Sequence, residues 1–249
     1  MTMTISRRPL LGALVALLCL LAQPLLAAGL VLPPGAAIST GGGQIELGCG
    51  DAQLGGEFSG ALVGARDILL DPGAVLSQAS LGFSGDWTNL AAAEQGASLN
   101  WTDGCGVAVS QMLGSSRLPA LSATTSSGRE IRFDSDGEQI ITGALLLAGS
   151  EGQRLRLRPS TPFQLAQLTL AVGANQSIDF IDGAYIDSGA GQTIAPDRPD
   201  VFNSVISAVM INWFQGEAIP VPTLPTAMIL LLVILIGLFG GKAVVRRSA

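Results

Sequence analysis

The sequence predicts an all-β fold: a right-handed parallel β-solenoid (β-helix) body followed by a C-terminal transmembrane helix. Three features of the 249 residues point there. Short apolar alternations recur between Gly, Asp and Ser. Glycine reaches 28 of the 191 residues from Gly29 to Ile219, about twice ordinary usage. Helical spacing is nearly absent between two apolar ends.

Residues 1–28 read as a secretory signal peptide. Arg7 and Arg8 give a positive start, Leu10 to Ala22 is an apolar stretch too short to span a bilayer comfortably, and Pro24 breaks it. Ala27 and Ala28 supply small residues for cleavage; an uncleaved anchor is the other reading. Cys19 lacks the small residue before it that a lipoprotein cysteine needs.

Residues 29–215 form the solenoid body. Runs such as Gln44–Leu47, Asp67–Leu70, Ser98–Trp101, Glu130–Phe133, Gln139–Thr142, Arg154–Arg158, Gln167–Leu170 and Ser177–Phe180 alternate with period two and predict strands of four or five residues. Leu70-Asp71-Pro72-Gly73-Ala74 and Phe133-Asp134-Ser135-Asp136-Gly137 are tight turns. Strands this short and frequent suit stacked coils, none of which can bury its apolar face alone. A β-sandwich is the alternative, because no strict repeat period can be counted. Ser204–Ile211 reads as one or two helical turns.

All 19 acidic residues lie between Glu46 and Glu217, with eight arginines and no lysine, so the body carries −11. The remaining five positive residues, Arg7, Arg8, Lys242, Arg246 and Arg247, sit at the ends. An acidic body argues against a nucleic-acid partner, which needs clustered Lys and Arg. With no histidine in the chain there is no Ser-His-Asp or Cys-His nucleophile, no imidazole base and no His-ligated zinc.

Residues 216–226 are a proline-rich linker, Ile219-Pro220-Val221-Pro222-Thr223-Leu224-Pro225, whose prolines favour extended backbone. Residues 227–249 hold the apolar run and a basic tail. As a helix, Ala227 to Val245 reaches about 28 Å, close to the hydrocarbon thickness. Lys242 can snorkel, while Arg246 and Arg247 stop transfer and hold the tail inside, leaving the body outside.

Val-Pro-Thr-Leu, then an apolar helix, then Arg-Arg resembles the IPTL-type C-terminal sorting signal of Gram-negative bacteria. Pro222, Thr223 and Leu224 match that motif; Val221 and Pro225 replace its usual Ile and Ser, and no Trp follows. The resemblance implies processing by an exosortase-like membrane protease; a proline-rich stalk before an ordinary single-pass anchor is the other reading. The order T-T-S-S-G-R-E-I-R-F, I-I-T-G-A-L-L-L-A-G, L-R-L-R-P-S-T-P and I-N-W-F between Leu118 and Phe214 resembles a module of bacterial secreted β-helix proteins. L-G-C-G-D through F-S-G-D-W-T-N to W-T-D-G-C-G resembles the Gly-rich coils that often precede it. This implies architecture and almost no chemistry.

Cys49 and Cys105 are the two cysteines left after export, and in an oxidising exterior they form one disulfide. Tyr185-Ile186-Asp187-Ser188-Gly189 matches the Asp-Ser-Gly of aspartic proteases, but no second copy exists to share a proton, and an ordinary turn explains it. Asp179, Asp182 and Asp187 are candidate carboxylates for glycoside hydrolysis, although Asp182-Gly183 reads as a turn. Asp134, Asp136 and Glu138 have calcium-type oxygens without the rest of an EF-hand, so they read as a solvated turn. Arg154, Arg156 and Arg158 share one face; pairing with Glu or Asp of adjacent coils is favoured over binding an anionic glycan.

The sequence thus describes an exported protein, membrane-anchored or at the cell surface, structural or adhesin-like. Its expected partners are the membrane, the processing protease and extracellular polysaccharide or surface proteins. It calls for no catalytic residue, no metal and no cofactor. A polysaccharide-acting hydrolase using Asp179 and Asp182 is the runner-up.

Overall fold

The computed structural model describes residues 29–214. Within them the chain winds as a parallel β-solenoid. One sheet has nine strands, running from Leu30–Leu32 through Ala52–Leu54, Ile68–Leu70 and Trp87–Asn89 to Val205–Ile206, each one coil after the last. The other has ten, from Ala37–Glu46 to Met210–Ile211. All pairings between these strands are parallel, which replaces the β-sandwich alternative.

Coil length explains why no period can be counted. Leu30 lies beside Ala52 and Ala52 beside Ile68, so the second of these coils is markedly shorter than the first. Glu130 lies beside Arg156, across a coil longer than either. Part of the excess sits in the corners and part in bulges within the strands, as between Ser39 and Gln44, where the ladder shifts register against Ser59 and Ala61.

Inside, apolar residues form ladders along the axis. Ile45, Leu62, Leu81, Leu99, Leu121 and Leu145 are successive partners in one. Ala65, Phe83, Trp101, Ala123, Leu147 and Ile178 make a second. Ala52, Ile68, Trp87, Met112, Phe133 and Pro159 make a third on the opposite sheet. Each rung buries its side chain only because the coils above and below cover it, so neighbouring coils are the unit of stability. The two indoles still need partners: Trp101 Nε1 donates to the Gly85 carbonyl at 2.8 Å and Trp87 Nε1 to Ser116 Oγ at 3.1 Å.

All eight predicted runs fall in strands or reach into them, and both predicted turns lie between strands. In the first turn Ala74 N–H donates to the Asp71 carbonyl at 3.0 Å, and Gly73 sits at φ 89°. Close stacking elsewhere requires glycine: a Cβ on Gly56 would lie 2.1 Å from the Ala36 carbonyl oxygen.

Three expectations are corrected. Ser204–Ile211 is not helical; it contributes the strands Val205–Ile206 and Met210–Ile211, after a single 3-10 turn at Pro199–Phe202. Pairing to the coil below decides this, since Asp182 lies beside Val205 and Ile186 beside Met210. Asp182-Gly183 is not a turn but part of strand Ile181–Gly183. Strand length is also greater than expected on the ten-stranded sheet, where Glu138–Ala148 runs 11 residues. That strand pairs with both Ala166–Leu170 and Asn175–Asp179, so it serves two faces of the coil at once.

The signal peptide (1–28), the linker (216–226) with Pro222, Thr223 and Leu224, and the apolar tail (227–249) with Lys242, Arg246 and Arg247 lie outside the described residues. Among the described residues no helix is long and apolar enough to cross a membrane.

Candidate functional site

A concave surface forms on three consecutive coils of the nine-stranded sheet. Strands Glu130–Phe133, Leu155–Pro159 and Ile181–Gly183 lie side by side, with Glu130, Arg156 and Asp182 in one row and Arg132 beside Arg158 in the next. Alternation turns Ile131, Leu157 and Gly183 inward, so these charged side chains face out.

Arg156 and Arg158 pair across coils, as predicted for the arginine strand: Glu130 Oε2 lies 3.7 Å from Arg156 Nε, while Glu130 Oε1 accepts from Arg132 Nε of its own strand at 2.7 Å. Arg158 donates to the Asp182 carboxylate at 2.8 Å and to the Asp182 carbonyl at 2.7 Å. Arg154 instead donates to the Asn203 carbonyl at 3.3 Å.

Beyond this row the chain leaves strand Leu155–Pro159 through a corner that projects Phe163. This residue is 81% exposed and its backbone is left-handed, φ 65°. Tyr185, the chain's one tyrosine, follows strand Ile181–Gly183 and is also left-handed, φ 59°. The rings meet edge to face, centroids 5.7 Å apart at 85°. Together with Glu130, Arg132, Arg158 and Ser207 they line a groove of about 450 Å³.

The corner is held from below. Ser135 accepts on its hydroxyl from the Thr161 N–H at 3.1 Å, and Ser135 N–H donates to Ser160 Oγ at 3.0 Å. Gln164 Nε2 donates to the Ser135 carbonyl at 3.2 Å and to Asp136 Oδ1 at 3.1 Å. Phe163 is therefore fixed in place by its neighbours' hydrogen bonds rather than by burial of its own ring.

The carboxylates singled out in the sequence are not gathered. Asp179 and Asp182 flank the corner at Phe180; Asp179 accepts from Asn203 Nδ2 at 2.8 Å while Asp182 is held by Arg158 and by Ser207 Oγ at 2.5 Å. Asp187 accepts from the Gly189 N–H at 2.7 Å, closing the ordinary turn, and Ser188 Oγ is buried against the Leu168 carbonyl. Asp134 accepts from the N–H groups of Gly114 and Asp136, and Glu138 from Thr169 Oγ1. No group of three or more possible metal ligands occurs among the described residues. Cys49 and Cys105 are disulfide-bonded.

Burial alone would push the Asp182 carboxyl up, but hydrogen bonds from Arg158 and Ser207 and the charges of Arg158 and Arg156 hold it below the usual carboxylate range. Asp103 is lowered in the same way, its burial outweighed by hydrogen bonds from Thr125, Ser126 and Ser127. Asp86 is raised, chiefly by burial. Groups with lowered values contribute stability above the unfolded carboxylate pKa, about 3.9, that is lost as pH falls through their folded values. Asp86 acts oppositely, its contribution fading as pH rises through its folded value. Thermal melts should therefore show greatest stability at mildly acidic pH and a fall below about pH 4. Asp182→Asn should flatten that acidic limb; an unchanged limb would refute the assignment.

Phe163 and Tyr185 escape sequence reading because a positive φ on an aromatic residue is imposed by the stacked coils. The Pro162-Phe163 pair at a corner and a lone tyrosine just past a strand are the only local signals. Compared with protein-family models, with curated proteins and with solved structures, the chain has no match.

Proposed function

We propose that the protein is an exported, adhesin-like surface scaffold, a right-handed solenoid carried to the membrane by its signal peptide and sorted at Pro222-Thr223-Leu224. The observation that carries the reading is the joining of a disulfide-bonded solenoid to a proline-rich, apolar and Arg-Arg C-terminus. The disulfide fits an oxidising compartment, and the −11 body suits solubility and repels nucleic acid. Partners are then the membrane, an exosortase-like protease and extracellular polysaccharide. The hydrolase alternative draws no support from Asp182: its lowered pKa does not suit the general acid, and as base or nucleophile its oxygens are already taken by Arg158 and Ser207.

The intact mass of the protein from an exporting host tests the sorting step. The expected mature chain begins at Ala28 or Gly29 and lacks the segment after the Pro-Thr-Leu motif. Replacing Pro222, Thr223 and Leu224 by alanine should restore the C-terminal mass and reduce surface yield. An unchanged mass would reduce the motif to a stalk.

A further inference from the structure

We propose that the groove between Phe163, Tyr185 and Arg132 binds a uronate-bearing sugar chain. The proposal names a ligand for the surface protein inferred above, and rests on that reading only for where the ligand is met.

The groove presents aromatic surface to solvent on a backbone that the stacked coils hold in place. Phe163 exposes 81% of its surface, and both it and Tyr185 hold left-handed backbone that a non-glycine residue rarely adopts. Such backbone recurs at other positions of the solenoid, Phe180 and Phe214 among them, and persists only where the surroundings enforce it. Here the enforcement is visible: the bonds from Ser135, Ser160 and Gln164 hold the Phe163 corner, while the Tyr185 N–H donates to the Val209 carbonyl at 2.6 Å. An exposed ring locked before binding loses little freedom when a ligand arrives.

The chemistry of the lining selects the ligand. Two rings set at 85° offer a ring face and a ring edge, and the electron-rich face attracts the polarised C–H groups of a pyranose. Arg158 is committed to Asp182 and to the Leu157 carbonyl. Arg132 is bound to Glu130 only through Nε, with its side chain 45% exposed, so its terminal nitrogens keep the forked geometry that grips a carboxylate. Counted with the carboxylate that Arg158 holds, the row sets Arg132, Arg156 and Arg158 against Glu130 and Asp182, a net positive face on a body of −11 where an anionic chain meets less repulsion than over the body as a whole. A volume of about 450 Å³ falls within the range of small-ligand sites.

Calorimetric titration of the purified mature protein with a galacturonate oligomer, its methyl ester and poly-glutamate tests this. The oligomer should bind at least tenfold more tightly than either comparison ligand. Phe163→Asn, chosen because asparagine tolerates left-handed backbone, should weaken binding at least tenfold. Arg132→Gln, on an exposed side chain, should weaken the oligomer to the level of its methyl ester while leaving the thermal midpoint unchanged. No binding of the oligomer, equal binding of the ester or of poly-glutamate, or indifference to both substitutions overturns the proposal. These readouts are separate from the mature mass, so the groove and the sorting motif can fail independently.

Discussion

Replacing Cys49 and Cys105 together by serine should lower stability by about 4 kcal/mol and the thermal midpoint by about 8–16 °C. The size follows from where the bridge lies. Cys49 is in the corner after strand Ala37–Glu46 and Cys105 in the corner after Ala97–Trp101, with Glu57–Ala65 and Val75–Phe83 between them in the sheet. Three strand spacings would put those corners about 14 Å apart. Their Cα atoms are 5.5 Å apart, so the connection from Trp101 to Val109 runs back along the axis over the two intervening corners. The bridge closes a separation of 56 residues and straps four coils that otherwise hold only their neighbours. Without it the N-terminal coils should fray first, losing amide protection before Leu155–Pro159 does. Melts with and without reductant check this: the wild type should drop to the level of the serine variant, which itself should ignore reductant. Equal midpoints for the two proteins without reductant would refute it.

The pairing of Cys49 with Cys105 was legible from arithmetic alone, because the signal peptide expected from the sequence contains the third cysteine, Cys19. Strand positions such as Glu130–Phe133 were legible because one face of each strand is buried, which forces alternation. The number and length of coils were not: corners of different length and strands with bulges all stack, so the sequence carries no period. Asp182-Gly183 misled because Asp-Gly favours turns in isolation, whereas here the salt bridge to Arg158 and pairing beside Leu157 impose a strand. The groove was illegible for a related reason. Glu130, Arg132 and Arg158 come from two coils, Tyr185 from a third, and the backbone at Phe163 is set by Ser135, a full coil earlier.

Arg129→Met should cost about 2–4 kcal/mol, although it removes an unpaired buried charge. Arg129 is only 1% exposed and alternates onto the inward side with Ile131 and Phe133. Burial pushes its guanidinium below its ordinary pKa, with Asp103 partly opposing that, and no carboxylate lies within ion-pair distance of it among the described residues. Its donors go instead to the Thr102 carbonyl at 2.5 Å, to the Ser84 carbonyl and to Ser110 Oγ at 2.5 Å. Those groups border the corner that the disulfide pulls along the axis, where the regular ladder is interrupted. Methionine roughly preserves the stem and removes every donor. The Ser84 carbonyl keeps the Ser110 hydroxyl as a donor, but the Thr102 carbonyl and Ser110 Oγ lose theirs at about 1–3 kcal/mol each, which outweighs the relief of burying no charge. A variant as stable as the wild type in denaturant titration would show that desolvation wins instead. Because Arg129 and the disulfide brace the same 102–108 segment, the variant lacking both should lose less stability than the two losses added together. Strict additivity would mean that the guanidinium holds its carbonyls independently of the strap.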